Sequence, residues 1–167
     1  MLRAGRAAMF ASGERAWFDR VRPLLEAMAG RVNHVGDLGA GTLLKHIATA
    51  LAGIQCVAAA EAMAYAERAG IARAAVLEGI QGSPVSSAII ETRGAMMASR
   101  THGRDQGMGG MSIFQENMEL VCEATRAIGA ACPMLDAATS TYAAAIAAGF
   151  GDDDQSAVVE YLAGNKP

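Results

Sequence analysis

Apolar residues recur at helical intervals along most of the chain, and glycines and prolines cut that pattern into segments. The first run, residues 4–12 (AGRAAMFAS), is short, apolar and closed by Gly13; its period suits a strand or a helix start. Over residues 14–29, Trp17, Val21, Leu24, Leu25 and Met28 share one helical face. Pro23 is expected to kink or split that helix, and Gly30 to end it. Arg31 to Val35 alternates, as a short strand or an extended link does. The glycine-rich turn GDLGAG (Gly36–Gly41) leads into the clearest element, a helix from Thr42 to Ala69 with one interior glycine, Gly53, and no proline. Its stripe is Leu44, Ile47, Leu51, Ile54 and Ala58, its C-cap is Gly70, and its length is about 40 Å. So long a rod cannot hide within a globule of this size, and part of it is expected to pack on something else, such as a second subunit.

Shorter elements follow. Residues 72–81 read as helical, and Ser83-Pro84 opens a helix running to about Ser99. GRDQGMGG (Gly103–Gly110) reads as a polar, flexible loop. Ser112 with Gln115 has the spacing of a capping box, opening a helix whose apolar face is Ile113, Val121, Ala124 and Ile128 and whose end is Gly129. Pro133 begins a helix that stops at Gly149, and Asp152 with Gln155 repeats the capping-box spacing before a last helix ending near Ala163. The fold class expected is all-α: a bundle of about six or seven helices around one long central helix, with a short N-terminal strand remnant.

Composition narrows the function classes. The 167 residues carry a net charge of -3 and are 52% hydrophobic, which supports a folded core and argues against disorder. That mild acidity gives no electrostatic support to nucleic-acid binding. The most apolar stretch, Leu51 to Ala66, is broken by Gln55 and Glu61, so a buried helix is expected there rather than a membrane span. MLRAGRAAMF makes a poor signal peptide because charge interrupts its apolar part. Cys56, Cys122 and Cys132 are far apart and odd in number, which suits buried thiols in a reducing compartment, and no metal site is expected. A cytoplasmic location without membrane partners follows as an expectation. Alanine makes up about a fifth of the chain and aromatics 5%, a composition that favours closely packed helices.

The positive charge is nearly all arginine; the lysines are Lys45 and Lys166. At helical spacing Lys45 is flanked by Gly41, Thr42, Ala48 and Thr49, with Ala52 and Cys56 beyond, all small. Such a lysine faces either a close neighbour or an open space. In an apolar pocket, desolvation would fit an amine to exchange a proton near neutral pH. Spacing alone favours the plainer reading, a surface lysine in the first turns of an ordinary helix.

The segment GDLGAGTLLKHIATALAGIQCVAAAEAMAYAERAGI resembles the 3-hydroxyisobutyrate dehydrogenases and related β-hydroxyacid dehydrogenases, whose second domain is helical and like the C-terminal domain of 6-phosphogluconate dehydrogenase. In that family G-x-G-x-x-x-K opens the long helix; here the residues are Gly39, Gly41 and Lys45. The run FDRVRPLLEAMAGRVNHVG (Phe18–Gly36), AEAM (Ala60–Met63), AGI (Ala69–Ile71), Pro133, Gly149 and DQSA (Asp154–Ala157) agree with it. The resemblance implies hydride transfer between NAD or NADP and the carbon bearing the hydroxyl of a small hydroxyacid, with Lys45 as general acid/base. It also implies Gly39 and Gly41 toward the cofactor, Thr49 and Asn117 toward the substrate, and a homodimer.

Departures from the family are specific. Asparagines often stand three and four residues after the lysine; here Ala48 and Thr49 do, and only Thr49 offers a hydroxyl. The family's K-D-L corresponds to Glu116, Asn117 and Met118, and a carboxylate at Glu116 would repel a carboxylate substrate it faced. The G-x-G-x-x-G and S-G-G of the family's first domain do not occur, and GMGGMS (Gly107–Ser112) lacks the preceding strand of a phosphate loop. By this resemblance residues 1–35 are a remnant and linker from the end of a dinucleotide-binding domain, and 36–167 the helical substrate-binding and dimerisation domain. Residues 1–13 would be an orphan strand, and the chain alone is expected to lack dehydrogenase activity. The alternative is a non-catalytic helical dimerisation module.

The other polar residues read as structural. His34, His46 and His102 are expected on the surface or in loops, without metal partners, and Asp152, Asp153 and Asp154 at a solvated helix N-terminus. Met96, Met97, Met108, Met111 and Met118 read as core and loop filler, Trp17 as packing between the first helix and the body, and Cys56 as an inert buried thiol.

Overall fold

In a computed structural model describing residues 8–103 and 109–166, the elements are β1 (Ala8–Ala11), α1 (Arg15–Met28), β2 (Arg31–His34), α2 (Ala40–Arg68), α3 (Arg73–Ile80), α4 (Ala88–Ser99), α5 (Met111–Ala127), α6 (Pro133–Ala145) and α7 (Val158–Ala163). Among the described residues the fold is all-α apart from one two-stranded sheet. The chain forms two compact units, one ending at Ala48 and the other beginning at Thr49, both within the span of α2.

In the first unit β1 and β2 pair in parallel, Ala8 opposite Arg31 and Ala11 opposite His34, with α1 as the crossover. The strand expected to be an orphan therefore has a partner in its own chain. Phe18 is the buried side chain of α1, and its ring stands 5.0 Å from that of His34. His34 is half-buried, and its Nε2 lies 2.8 Å from the Gly13 carbonyl, so it is a folded-in residue and not a surface one. α1 runs through Pro23 without a break. Pro23 is solvent-exposed, so its missing N–H leaves a carbonyl that water can reach. The apolar face read from the sequence is uncovered: Trp17 is 58% exposed and Leu24 64%. Trp17 packs beneath the Arg20 guanidinium, 4.7 Å from its ring centroid, and not between the helix and a body.

The second unit is built around the middle of α2. Cys56, Ala60 and Met63 meet Ile90 and Met97 of α4, Met118 and Val121 of α5, Leu135 and Tyr142 of α6, and Val158 and Val159 of α7 in one core. α2 is long and apolar enough to cross a membrane by length and composition, yet this stretch of it is bundle core. Gly53 sets how closely α5 approaches: a Cβ there would stand 2.5 Å from the Met118 sulfur. Phe114 meets Tyr142 edge-on at 5.4 Å.

Three helix starts differ from the sequence reading. α4 begins at Ala88, where the Ser87 hydroxyl accepts from the Ile90 N–H; residues 83–86 form a turn closed by Ser86 N–H on the Ser83 carbonyl. α5 begins at Met111 with Gly110 as its N-cap. The Ser112 hydroxyl donates to the Gly151 carbonyl at 3.0 Å, because Gly151 comes close enough to claim it. Asp154 caps the 3-10 turn Gln155–Ala157 that leads into α7, in place of Asp152. α6 widens into a π-turn over Ile146–Phe150, where Gly149 takes φ 106°. Of the Gly103–Gly110 loop and the GMGGMS segment, residues 104–108, with Met108, lie outside the described residues.

Candidate functional site

The handover from β2 to α2 is built by two glycines. Gly39 has φ +97°, a left-handed conformation that costs other residues strain. Gly41 is buried in the first turn of α2, and a Cβ there would stand 2.7 Å from the Phe10 carbonyl oxygen and 3.2 Å from the Ser12 hydroxyl. The Ala40 N–H donates to the Asp37 carbonyl and the Leu43 N–H to that of Gly39, each closing the turn. The first turn of α2 carries no acidic residue, and the positive end of its amide dipoles lies there.

Lys45 follows one turn after Gly41 and is solvent-exposed in this chain, where the chemical reading asked for a sheltered amine. Thr49, one further turn along, is half-buried, and Ala48 is exposed. α2 thus places Lys45 and Thr49 on successive turns by helical geometry alone. Asn117 lies on α5 in the second unit, half-buried, its Nδ2 donating to the Ile113 carbonyl at 2.7 Å. Glu116 beside it is exposed, and so is free to meet whatever approaches α5.

A buried ionic cluster escaped the sequence reading. The Arg73 guanidinium, 4% exposed, donates to Glu160 at 2.5 Å, to Glu67 and to the Met97 carbonyl. Arg100 also pairs with Glu67, and the Asn165 amide donates to Glu160 at 2.6 Å. His102 is buried, its Nε2 3.1 Å from Glu160 and its Nδ1 2.9 Å from the Ser156 hydroxyl. Arg93 grips Asp154 through two nitrogens at 3.0 and 3.3 Å. His102 lies in a loop, as expected, but is buried there, and Asp154 is a buried cap in place of the solvated one expected. Their partners lie 54 to 61 residues away, a distance no local pattern spans. Burial alone would raise the Glu160 carboxyl, but the Arg73 hydrogen bond, with those of Asn165 and His102, takes it down to about 2. Asp154 is also held below its usual value; burial opposes this, and Arg93 and the Ser156 N–H outweigh it.

Ser156, His102 and Glu160 line up like the nucleophile, base and acid of a hydrolase, but Ser156 is 0% exposed and Glu160 is held by Arg73. A nucleophile without access to substrate does no acyl transfer, so the chain of bonds is structural. Burial pushes the Cys56 thiol up to about 11, which makes it the inert thiol expected. Among the described residues no group of His, Cys, Asp and Glu is placed to hold a metal.

Comparison with known proteins adds a family match. A family model described as "NAD-binding of NADP-dependent 3-hydroxyisobutyrate dehydrogenase" matches residues 39–162. The L-threonate dehydrogenase of Escherichia coli (strain K12) is 33% identical over 161 residues, covering 96% of this chain and 52% of that protein. Among solved structures, 3-hydroxyisobutyrate dehydrogenase from Salmonella typhimurium superposes with a TM-score of 0.87 at 32% identity, over 96% of this chain and 55% of that one. The Mycobacterium tuberculosis 3-hydroxyisobutyrate dehydrogenase, solved with L-serine, gives a TM-score of 0.84 at 27% identity, over 96% and 56%. The chain spans about half the length of the relatives it matches.

Proposed function

Because the chain belongs to the family of NAD-binding domains of NADP-dependent 3-hydroxyisobutyrate dehydrogenases, we propose that it is the helical portion of an NAD(P)-dependent dehydrogenase of small hydroxyacids, with Lys45 as its proton-transfer residue. The observation that carries this reading is the handover at Gly39 and Gly41. Both glycines have a backbone reason to be there, and together they fix the opening turns of α2, from which Lys45 projects. The dipole-bearing N-terminus of α2 and the exposed turn at Gly39, with nothing within 4 Å of where a Cβ would stand, suit a nicotinamide dinucleotide, while Gly41 lets β1 pack against the helix.

When bound, that cofactor supplies the hydride acceptor. The Lys45 amine takes the hydroxyl proton of the substrate as the carbon loses its hydride, and returns it in the reverse direction. The Thr49 hydroxyl, one turn on, and the Asn117 amide hold the substrate's polar groups. Residues 1–35 are the trailing edge of a dinucleotide-binding domain, which the parallel β1–α1–β2 unit supports, and 36–167 are the substrate-binding domain. Cover for the exposed Lys45 comes from that dinucleotide-binding domain and the substrate, so the 167-residue chain alone shows no turnover. It works in the cytoplasm as a homodimer through α2, whose Leu43, Ile47, Leu51 and Tyr65 are all about half or more exposed.

The second reading, a non-catalytic dimerisation module, draws on the exposure of Lys45 and on Ala48 and Glu116 standing where the family has an amide and a cation. Lys45→Ala in the chain joined to a dinucleotide-binding half decides between them. Loss of turnover with an unchanged circular dichroism spectrum supports the dehydrogenase; undiminished turnover removes Lys45 from the chemistry.

A further inference from the structure

The two flanks of α1 differ in kind. Phe18, buried against the His34 ring, marks the line of the helix that faces the sheet, and half-buried Leu25 lies within about 20° of it. At about 100° per residue, Val21, Met28, Trp17 and Leu24 follow at about 60–120° to one side of that line. All four are exposed, and their 4-3-4 spacing is the seam of a helix that packs along another helix. The other flank carries two ion pairs closed within the helix, Arg15–Asp19 at 3.0 Å and Arg22–Glu26 at 2.6 Å.

The sheet fixes which flank faces which strand. β1 and β2 are parallel, so α1 is a crossover, and crossovers of this kind are right-handed. With Phe18 turned to the sheet, that hand sends the apolar seam out past β1 and the ion pairs out past β2. Among the described residues β1 has no strand along its other edge, and its Met9 and Phe10 are apolar and only half-buried. An open ladder edge and an uncovered helix seam therefore lie on the same side of the unit. The β2 side is guarded by charge, as a sheet's outer edge is.

We propose that the β1 side docks the neighbouring strand–helix unit of a dinucleotide-binding half, a strand running parallel along β1 and a helix lying along the Trp17–Val21–Leu24–Met28 seam. β1 is then an inner strand and β2 the last strand of the sheet. One further unit of a parallel sheet brings both parts at the right spacing, a strand about 4.8 Å from β1 and a helix axis about 8–10 Å from that of α1. A second copy related by a two-fold axis would set its β1 antiparallel to this one, against the parallel ladder already present. The relatives matched above carry about as much chain again beyond the matched part, enough to supply such a unit. The partner's identity rests on the dehydrogenase reading; the choice of side does not.

Trp17 is the single tryptophan of the chain, so its fluorescence reports on the seam. The test joins the chain to the part of the Salmonella typhimurium 3-hydroxyisobutyrate dehydrogenase that it does not match, with that part's tryptophans replaced by phenylalanine. Relative to the chain alone, Trp17 emission is expected to move to shorter wavelength and its quenching by acrylamide to fall several-fold. Leu24→Glu is expected to restore most of the quenching in the joined chain while leaving the circular dichroism of the chain alone unchanged, since Leu24 is exposed there. Arg22→Gln, on the charged flank, is expected to leave Trp17 covered. Undiminished quenching in the joined chain, cover that survives Leu24→Glu, or cover that appears in the chain alone as its concentration rises, which would make a second copy the occupant, overturns the proposal. Dinucleotide binding with Trp17 still uncovered defeats this inference and leaves the dehydrogenase reading standing; Trp17 covered with undiminished turnover in Lys45→Ala does the reverse.

Discussion

Arg73 and Glu160 stand 87 residues apart in sequence and 2.5 Å apart in space, and each is almost wholly buried. Arg73 opens α3 and Glu160 belongs to α7, so the pair ties the middle of the chain to its end. Glu67, Met97 and Asn165 complete the bonding around them. A buried pair of this kind is costly to form and costlier to break. Arg73→Met, which leaves Glu160 buried with only part of its partners, is expected to lose about 3–5 kcal/mol in urea unfolding. The exposed pair Arg15–Asp19 is the contrast: Arg15→Ala is expected to change stability by less than about 1 kcal/mol.

Acid should act through the same carboxylate. Glu160 titrates near 4.5 when unfolded and near 2 when folded, so the folded state holds its proton less tightly. Its contribution is complete above the unfolded value and drains away as the pH falls from about 4.5 toward 2. Asp154, shifted in the same direction by Arg93, adds to the slope. Unfolding free energies measured across that interval should fall with pH, and Glu160→Gln should flatten the fall as well as lower the plateau. A slope unchanged in Glu160→Gln would assign the acid sensitivity to other carboxylates.

What the sequence made legible follows from the range of each force. The long helix, the glycine turn before it and the all-α class rest on periodicity and on backbone freedom within a few residues, and α2 (Ala40–Arg68) fell close to its expected Thr42–Ala69. The capping boxes at Ser112 and Asp152 were misread because a hydroxyl or carboxylate bonds its nearest good partner: Ser112 found the Gly151 carbonyl, and Asp154 stood closer to the turn than Asp152. The ionic core around Glu160 was invisible because charged residues read as surface until the fold brings their partners to them. The Trp17, Val21, Leu24 and Met28 face was read correctly as apolar, and its exposure shows that amphipathicity marks a face to be covered without saying what covers it.

Thiol chemistry should discriminate the three cysteines. Cys56 and Cys122 are buried and Cys132 is only half-buried, at the N-cap of α6. Burial also keeps the Cys56 thiol protonated at neutral pH, and the thiolate is the reactive form. With a maleimide at pH 7 and peptide mapping, Cys132 is expected to label first, and Cys56 only at the rate of unfolding. Early labelling of Cys56 in the native chain would mean that the α2 core opens locally.

Two glycine substitutions should move stability in opposite directions. Gly79 sits inside α3 with nothing within 4 Å of where a Cβ would be, so Gly79→Ala trades backbone freedom for helix propensity and is expected to stabilise by about 0.5–1 kcal/mol. At Gly41 the new methyl would press on the Phe10 carbonyl oxygen at 2.7 Å, and a paired strand's backbone yields less readily than a flexible side chain. Gly41→Ala is expected to cost about 1–3 kcal/mol and to push the first turn of α2 away from β1. Because Lys45 rides on that turn, the proposed role of Lys45 predicts that the same substitution in a chain joined to a dinucleotide-binding half cuts turnover by more than the stability loss explains. Gly53→Ala, which meets Met118 farther along α2, should destabilise without that excess. Equal activity in Gly41→Ala and Gly53→Ala, each compared at matched folded fraction, would show that the turn before Lys45 does not aim it.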